Sequence, residues 1–208
     1  MSSASPNKEN LVIVNTRVAN LASVAFAFRR LGVEPVISAD PEVIRNADRV
    51  VLPGVGTAEA AMRALHEIDL VSTLQSLTQP VLGICLGMQM LTRYSTETRA
   101  AEPVPALGVI PTHIERLRSQ AGLPLPHMGW NRTEVTDHPL FAGLEQPWFY
   151  FVHSFAAPID GATIASCDYG QPFAAAIANG NFLGVQFHPE RSGADGARVL
   201  QNFLELTC

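Results

Sequence analysis

Three short segments of this 208-residue chain carry residue types that could do chemistry together. The first, Gly83-Ile84-Cys85-Leu86-Gly87, has the spacing of a nucleophile elbow, in which glycines allow a tight strand-to-helix turn and the central side chain stands above a sheet. At a helix N-terminus the free backbone N–H groups and the helix dipole favour a thiolate at Cys85. Alone, the segment is equally consistent with a buried structural cysteine between packing glycines. The second segment, His188-Pro189-Glu190, changes that balance. Residues two apart on an extended chain face the same way, and the proline keeps His188 out of the helical region. His188 and Glu190 are expected to point together as a base and its orienting carboxylate, completing a Cys-His-Glu triad. Such a tripeptide by itself is more often a surface turn; its coincidence with a cysteine elbow is what argues for catalysis. The third segment is Pro53-Gly54-Val55-Gly56 at the end of an expected strand. The backbone N–H groups of Gly54, Val55 and Gly56, together with that of Leu86, are candidate donors to a developing oxyanion.

These groups must be delivered by strand ends lying side by side, and the first half of the chain alternates elements in the required way. Strands are expected at Leu11 to Val14, Val33 to Ile37, Arg49 to Leu52 and Val81 to Ile84. Between them, Leu21, Val24, Ala25 and Phe28 recur at helical spacing from Asn20 to a stop at Gly32, Asp40-Pro41 reads as a helix start, and Thr57 can cap a helix bearing Ala61, Ala64 and Leu65. A further helix is expected from Cys85 through Met90 and Tyr94. The second half reads as strands without intervening helices: Trp148 to Val152, Ala162 to Cys167, Phe173 to Ile177 and Gly184 to Phe187, with a hairpin at Asn179-Gly180-Asn181 and a closing helix from Ala194 to Leu206. The sum is an α/β domain over residues 11–208, a mostly parallel sheet with helices on both faces and added antiparallel strands. Residues 1–10 are polar and are expected to form a flexible extension.

Composition removes several classes. With 14 Lys and Arg against 19 Asp and Glu, the net charge is −5, and no basic run offers a footprint for nucleic acid or an anionic membrane. No apolar stretch approaches the ~18 residues of a membrane span. Three unpaired, widely spaced cysteines, Cys85, Cys167 and Cys208, fit a reducing cytoplasmic setting and give no zinc spacing. Charged residues are 16% of the chain, below the ~25% of an average soluble protein. A parallel sheet covered on both faces accounts for part of that deficit.

Gly83-Ile84-Cys85-Leu86-Gly87-Met88-Gln89 with His188-Pro189-Glu190 resembles the class I, or triad, glutamine amidotransferases, whose fold is flavodoxin-like with added β structure. Within that family, four segments are similar to the glutaminase subunits of imidazole glycerol phosphate synthases: Leu52 to Thr57, Pro126 to Asn131, Tyr150 to Ser154 and Gln186 to Ser192. The resemblance runs from about Leu11 to Leu206. It implies that Cys85 attacks the carboxamide of glutamine and that Gln89, His153, Ser154 and Phe155 hold the substrate. It also implies no cofactor or metal, and a heterodimer with a (β/α)8-barrel cyclase subunit that receives the ammonia, with Trp130, Asn131, Tyr150 and Arg191 at or near the interface. For Trp130 and Tyr150, core packing is an equal alternative, and Arg191 rests on the resemblance alone. Where the family carries a glycine after its first strand, this chain has Asn15-Thr16-Arg17. The alternatives kept open are a glutaminase component of an anthranilate or aminodeoxychorismate synthase, a partner-independent cysteine hydrolase, and a non-catalytic module on the same fold.

Overall fold

The computed structural model describes residues 10–16, 20–119 and 121–206; Met1 to residue 9, Arg17 and Cys208 lie outside them. In chain order the first half runs β1 (Leu11–Val14), α1 (Leu21–Arg30), β2 (Val36–Ser38), α2 (Pro41–Arg45), β3 (Arg49–Gly54), α3 (Ala58–Glu67), α4 (Val71–Gln75), β4 (Val81–Cys85) and α5 (Leu86–Leu91). Short strands follow: β5 (Tyr94–Ser95), β6 (Val104–Pro105) and β7 (Glu115–Arg116). The remainder comprises β8 (His127–Arg132), β9 (Glu134–Val135), β10 (Trp148–His153), β11 (Phe155–Ala156), β12 (Thr163–Asp168), β13 (Pro172–Asn179), β14 (Phe182–Val185) and α6 (Gly193–Glu205).

Caps set the helix starts that the sequence marks. Asn20 accepts from the Ser23 N–H, Asp40 from the Glu42 N–H ahead of Pro41 as the first helical residue, and Thr57 from the Ala60 N–H. Gly32 takes φ +83° just past α1, the left-handed exit for which glycine carries no steric penalty.

Eight strands form one sheet in the order β2-β1-β3-β4-β14-β13-β12-β9. The first five are parallel and the last three join antiparallel. Side chains of alternate residues divide the core in two. Leu11, Ile13, Val51, Leu82 and Ile84 pack with Phe28 of α1 and Phe203 of α6. Val12, Val14, Val50, Leu52 and Val81 pack with Ile44, Leu65, Leu74 and Met88 of α2 to α5. Beside the sheet, β8 and β10 form an antiparallel ribbon that sets Trp130 opposite Tyr150 and His127 opposite His153.

Several boundaries differ from expectation by a few residues, and for three of them the local reason is visible. β2 is Val36–Ser38, not Val33 to Ile37, because the Val33 N–H turns back to the Phe28 carbonyl and finishes the exit from α1. α5 stops at Leu91, where Thr92 becomes extended and its hydroxyl bonds the Gln89 carbonyl; Tyr94 lies instead in β5 opposite Pro105. The last strand is Phe182–Val185, shifted toward the hairpin, although the Gln186 N–H still donates to Ala175. The hairpin itself turns where expected, with Asn179 opposite Phe182 and Gly180 at φ +58°. No helix among the described residues is long and apolar enough to cross a membrane.

Candidate active site

β4 lies between β3 and β14, with Gly54 opposite Cys85 and Val185 opposite Ile84. Three strand ends therefore bring the Pro53 to Gly56 loop, Cys85 and His188 to one edge of the sheet. Cys85 sits at φ +54°, ψ −111°, a backbone state that L side chains rarely adopt and that costs about 1–3 kcal/mol when observed. The glycines around it are required by close approach. A Cβ on Gly87 would collide with the Leu52 carbonyl, and one on Gly83 would stand 2.7 Å from the Gly87 backbone. With both absent, α5 rests directly on β3 and β4, and its first turn begins at Cys85. Cys85 is 8% exposed, with Sγ 3.9 Å from the Val152 carbonyl and 3.8 Å from Gln186 Nε2.

The His188 imidazole is oriented by a short turn, where extended alternation was expected. Residues Pro189–Arg191 form a single 3-10 turn, closed by the Arg191 N–H to the His188 carbonyl and by the Ser192 hydroxyl to the same oxygen at 2.7 Å. The turn swings Glu190 back so that His188 Nδ1–H donates to its Oε1 at 2.9 Å. That bond fixes the tautomer and leaves Nε2 for Cys85. β10 holds the turn in place through its backbone: the His188 N–H donates to the Tyr150 carbonyl, and the Tyr150 N–H to Ser192 Oγ. Burial opposes charge on His188, but the Cys85 and Glu190 interactions outweigh it and raise its pKa to about 10. The arrangement is a half-buried imidazole disposed to carry a proton beside a cysteine sulfur.

Cys85 and His188 open into a cavity of about 280 Å³ lined also by Val55, Gly56, Leu86, Gln89, Glu97, Val152, His153, Ser154 and Phe155. Its size falls near the small end of the roughly 300–1,000 Å³ typical of ligand pockets. All four residues expected to hold the substrate, Gln89, His153, Ser154 and Phe155, thus share the wall with the nucleophile. Gln89 donates both amide hydrogens, at 3.0 Å each, to the Phe155 carbonyl and Gln186 Oε1, so only its carboxamide oxygen is left to meet a ligand. His153 is buried; its Nδ1–H donates to the Phe155 carbonyl at 2.9 Å. Its pKa falls to about 3, by burial first and then by the neighbouring His127 and His188, so it faces the cavity neutral. Of the oxyanion candidates, Leu86, Val55 and Gly56 line this cavity. Gly54 lines a second one, of about 200 Å³, with Val55, Val152, His188, Glu190 and Arg191. Val55 is 44% exposed and borders both.

Trp130, Asn131 and Tyr150 border neither catalytic cavity. Trp130 is 49% exposed, with its ring edge-on to Tyr150 at 6.0 Å; Tyr150 and Asn131 are half-buried and Arg191 is exposed. Core packing, the alternative for Trp130, does not describe its half-exposed ring. Cys167 is buried in β12 and its thiol is pushed up to about 12, chiefly by burial; it is an inert packing residue.

Two residues, one behind the cavity wall and one in it, escape the sequence reading. Gln186 is fully buried and bridges Gln89 to the cysteine sulfur. Its signal was its place two residues before His188, on the same side of a near-extended segment. Glu97 reaches the cavity from the segment after β5 and accepts from the Ala58 N–H at 2.9 Å. Burial raises its carboxyl pKa, partly offset by that bond, and no local pattern announces it.

The model of the glutamine amidotransferase class-I family matches residues 13–206, so the match takes in the whole of this site. Imidazole glycerol phosphate synthase subunit HisH of Shewanella loihica is 54% identical over 202 residues, covering 94% of this chain and 90% of its own. The subunit of the same name from Vibrio cholerae is 54% identical, covering 95% and 99%, and that of Salmonella typhimurium 53%, covering 95% and 100%. Among solved structures, a glutamine amidotransferase superposes with a TM-score of 0.72 at 20% identity, covering 93% of this chain and 97% of its own. A glutamine amidotransferase of Thermotoga maritima superposes at 0.60 and 19%, covering 96% and 82%. The fold is thus shared with these structures, and the strained cysteine elbow, the His-Glu turn and nearly the full length of the chain fall within one sequence family: the chain is a member of the class I glutamine amidotransferases.

Proposed function

We propose that this chain is the glutaminase subunit of an imidazole glycerol phosphate synthase in histidine biosynthesis, acting in the cytoplasm with a cyclase partner. The observation that carries the reading is a buried cysteine and a Glu-oriented histidine on one amino-acid-sized cavity, in a chain more than half identical to subunits of that name.

The chemistry follows from the positions. The Cys85 sulfur attacks the glutamine carboxamide carbon, and the carbonyl electrons move to oxygen, where the Leu86 N–H and the loop at Gly54 to Gly56 donate hydrogen bonds. Collapse of that intermediate breaks the C–N bond. His188 gives its proton to the departing nitrogen, so ammonia leaves and a γ-glutamyl thioester remains. His188 then takes a proton from water, which attacks the thioester to release glutamate and regenerate the sulfur. Glu190 holds the imidazole through both halves. Gln89, Ser154 and Phe155 grip the substrate, and the Glu97 carboxylate suits its α-ammonium group. The ammonia passes to the cyclase, a (β/α)8 barrel docked over Trp130, Asn131, Tyr150 and Arg191. There it is used to make imidazole glycerol phosphate and aminoimidazole-carboxamide ribotide.

Acid quenching of the complex during glutamine turnover, followed by mass spectrometry of the peptide containing Cys85, tests this directly. A γ-glutamyl adduct on Cys85, absent from Cys85→Ala, is the expected result. Turnover with no adduct, or unchanged in Cys85→Ala, overturns it.

A further inference from the structure

Four contacts run in series from β12 to the cavity wall. Asn131 Nδ2 lies 3.2 Å from the Asp168 carbonyl oxygen, and Asn131 Oδ1 lies 2.9 Å from His127 Nε2. His127 Nδ1 lies 3.1 Å from His153 Nε2, and His153 Nδ1 lies 2.9 Å from the Phe155 carbonyl oxygen. Both ends are backbone carbonyls, which only accept. Along the series a neutral histidine supplies one donor and one acceptor, and an asparagine amide turned either way does the same. Three donors cannot close four contacts. Whatever the tautomers and the amide orientation, one contact sets two lone pairs against each other unless the histidine pair holds an additional proton.

We propose that Asn131 and His127 are positioning residues for His153, forming a relay with two states that differ by one proton on the histidine pair and by the orientation of the Asn131 amide. In the charged state His127 carries both N–H groups, the Asn131 oxygen faces it, and all four contacts close. The His127 ring stacks on Phe151 at 5.0 Å and on Tyr169 at 4.0 Å, both within 20° of parallel, and aromatic faces favour a cation. In the neutral state the mismatch relaxes where the series is least buried. Asn131 is half-buried whereas His127 and His153 are buried, so the Asn131 amide turns its NH₂ to His127 Nε2, and its oxygen, now on the Asp168 side, gives up the Asp168 contact.

The proton belongs to His127. His153 is already depressed to about 3, whereas His127 is lowered by burial and partly restored by the Asn131 bond. His188 faces the pair from the turn after β14, and Cys85 from β4 shares the cavity wall with it. From β12 the backbone carbonyl of the exposed Asp168 meets Asn131, next to the buried Cys167, and the Tyr169 hydroxyl is spent on the Pro124 carbonyl. Phe151 and Phe173 contribute no charge. The effect on substrate rests on the glutaminase reading, through His153 in the cavity wall; the proton relay itself does not.

The test is nitrogen NMR of the full chain, labelled at histidine rings and asparagine side chains, between about pH 4 and 9. The His127 ring nitrogens and the Asn131 amide should shift together at one midpoint below ~6.5, while His153 stays neutral with its proton on Nδ1. Asn131→Asp, which sets a carboxylate against His127, should raise that midpoint by about one to three units. In the complex, the KM for glutamine should follow the same midpoint with kcat unaffected by it. An Asn131 amide unmoved while His127 titrates, histidines titrating separately, or no His127 titration in that range overturns the relay. Because the spectra need no turnover, they hold or fail independently of the glutaminase assay.

Discussion

Replacing Cys85 by glycine and, separately, by alanine turns the strain at the elbow into a measurable stability difference. Both variants remove Sγ, so its contacts with Val152, Gln186 and His188 cancel between them. What remains is the backbone at φ +54°, ψ −111°. Alanine keeps a strain of about 1–3 kcal/mol that glycine releases. Against this, the greater unfolded freedom of glycine costs about 0.4–1 kcal/mol. Central values leave Cys85→Gly more stable than Cys85→Ala by roughly 1 kcal/mol, reversing the usual order. For a chain of this size that is about 2–4 °C in Tm. Urea unfolding of the two variants side by side reads the difference. Cys85→Gly less stable by the ordinary ~0.5–1 kcal/mol would refute the claim that the fold holds its nucleophile under strain.

The other predictions concern the base, the glycine contact, the oxyanion loop and a distant arginine. The pKa of His188 is raised in the folded state to about 10. Its contribution is therefore fully present below the unfolded value near 6.5 and lost as pH rises through about 10. The stability gap between wild type and His188→Gln, read by urea unfolding, should shrink steadily over that window; a gap that widens there contradicts the proton assignment. Gly87→Ala drives a Cβ into the Leu52 carbonyl and should cost on the order of 1–3 kcal/mol or more, with loss of Cys85 alkylation by iodoacetamide under native conditions. Val55 is the non-glycine in an exposed loop, so the isolated chain should turn over glutamine slowly. Partner and nucleotide should raise the rate by ~10² to 10³, the value of one oxyanion donor; equal rates with and without them would rule this out. Arg49, 8% exposed, donates to the Phe203 and Leu206 carbonyls at 3.0 and 2.6 Å. Arg49→Met should destabilise by about 1–3 kcal/mol in thermal melts while leaving kcat unchanged, since Arg49 opens β3 at the end opposite Gly54.

The legible parts of this molecule are those governed by local rules. The caps at Asn20, Asp40 and Thr57, the alternating apolar strands and the Asn179-Gly180-Asn181 turn are each written within a few residues, and each forms where the sequence marks it. The elbow was legible because a strained turn needs glycine where α5 meets β3, and the Gly83–Gly87 spacing is that need expressed in sequence. The His-Glu pair was recognised for an incomplete reason. Alternation suggested that the two face one way, yet a 3-10 turn stabilised by Ser192 and by the Tyr150 backbone brings them together. Apart from Gln186, what escaped was non-local. Glu97 enters the cavity from a segment without periodicity, and the His127–His153 contact exists only because two distant strands pair in register.

The central claim is that glutamine chemistry at Cys85 and use of the released ammonia occur at separate sites. The most direct test reconstitutes the chain with a cyclase partner and measures imidazole glycerol phosphate formation with either glutamine or ammonium as the nitrogen source, for wild type and Cys85→Ala. Loss of the glutamine-driven reaction in Cys85→Ala, with the ammonium-driven reaction retained, is the predicted result. Equal loss of both, or glutamine-driven synthesis that survives the substitution, would contradict it.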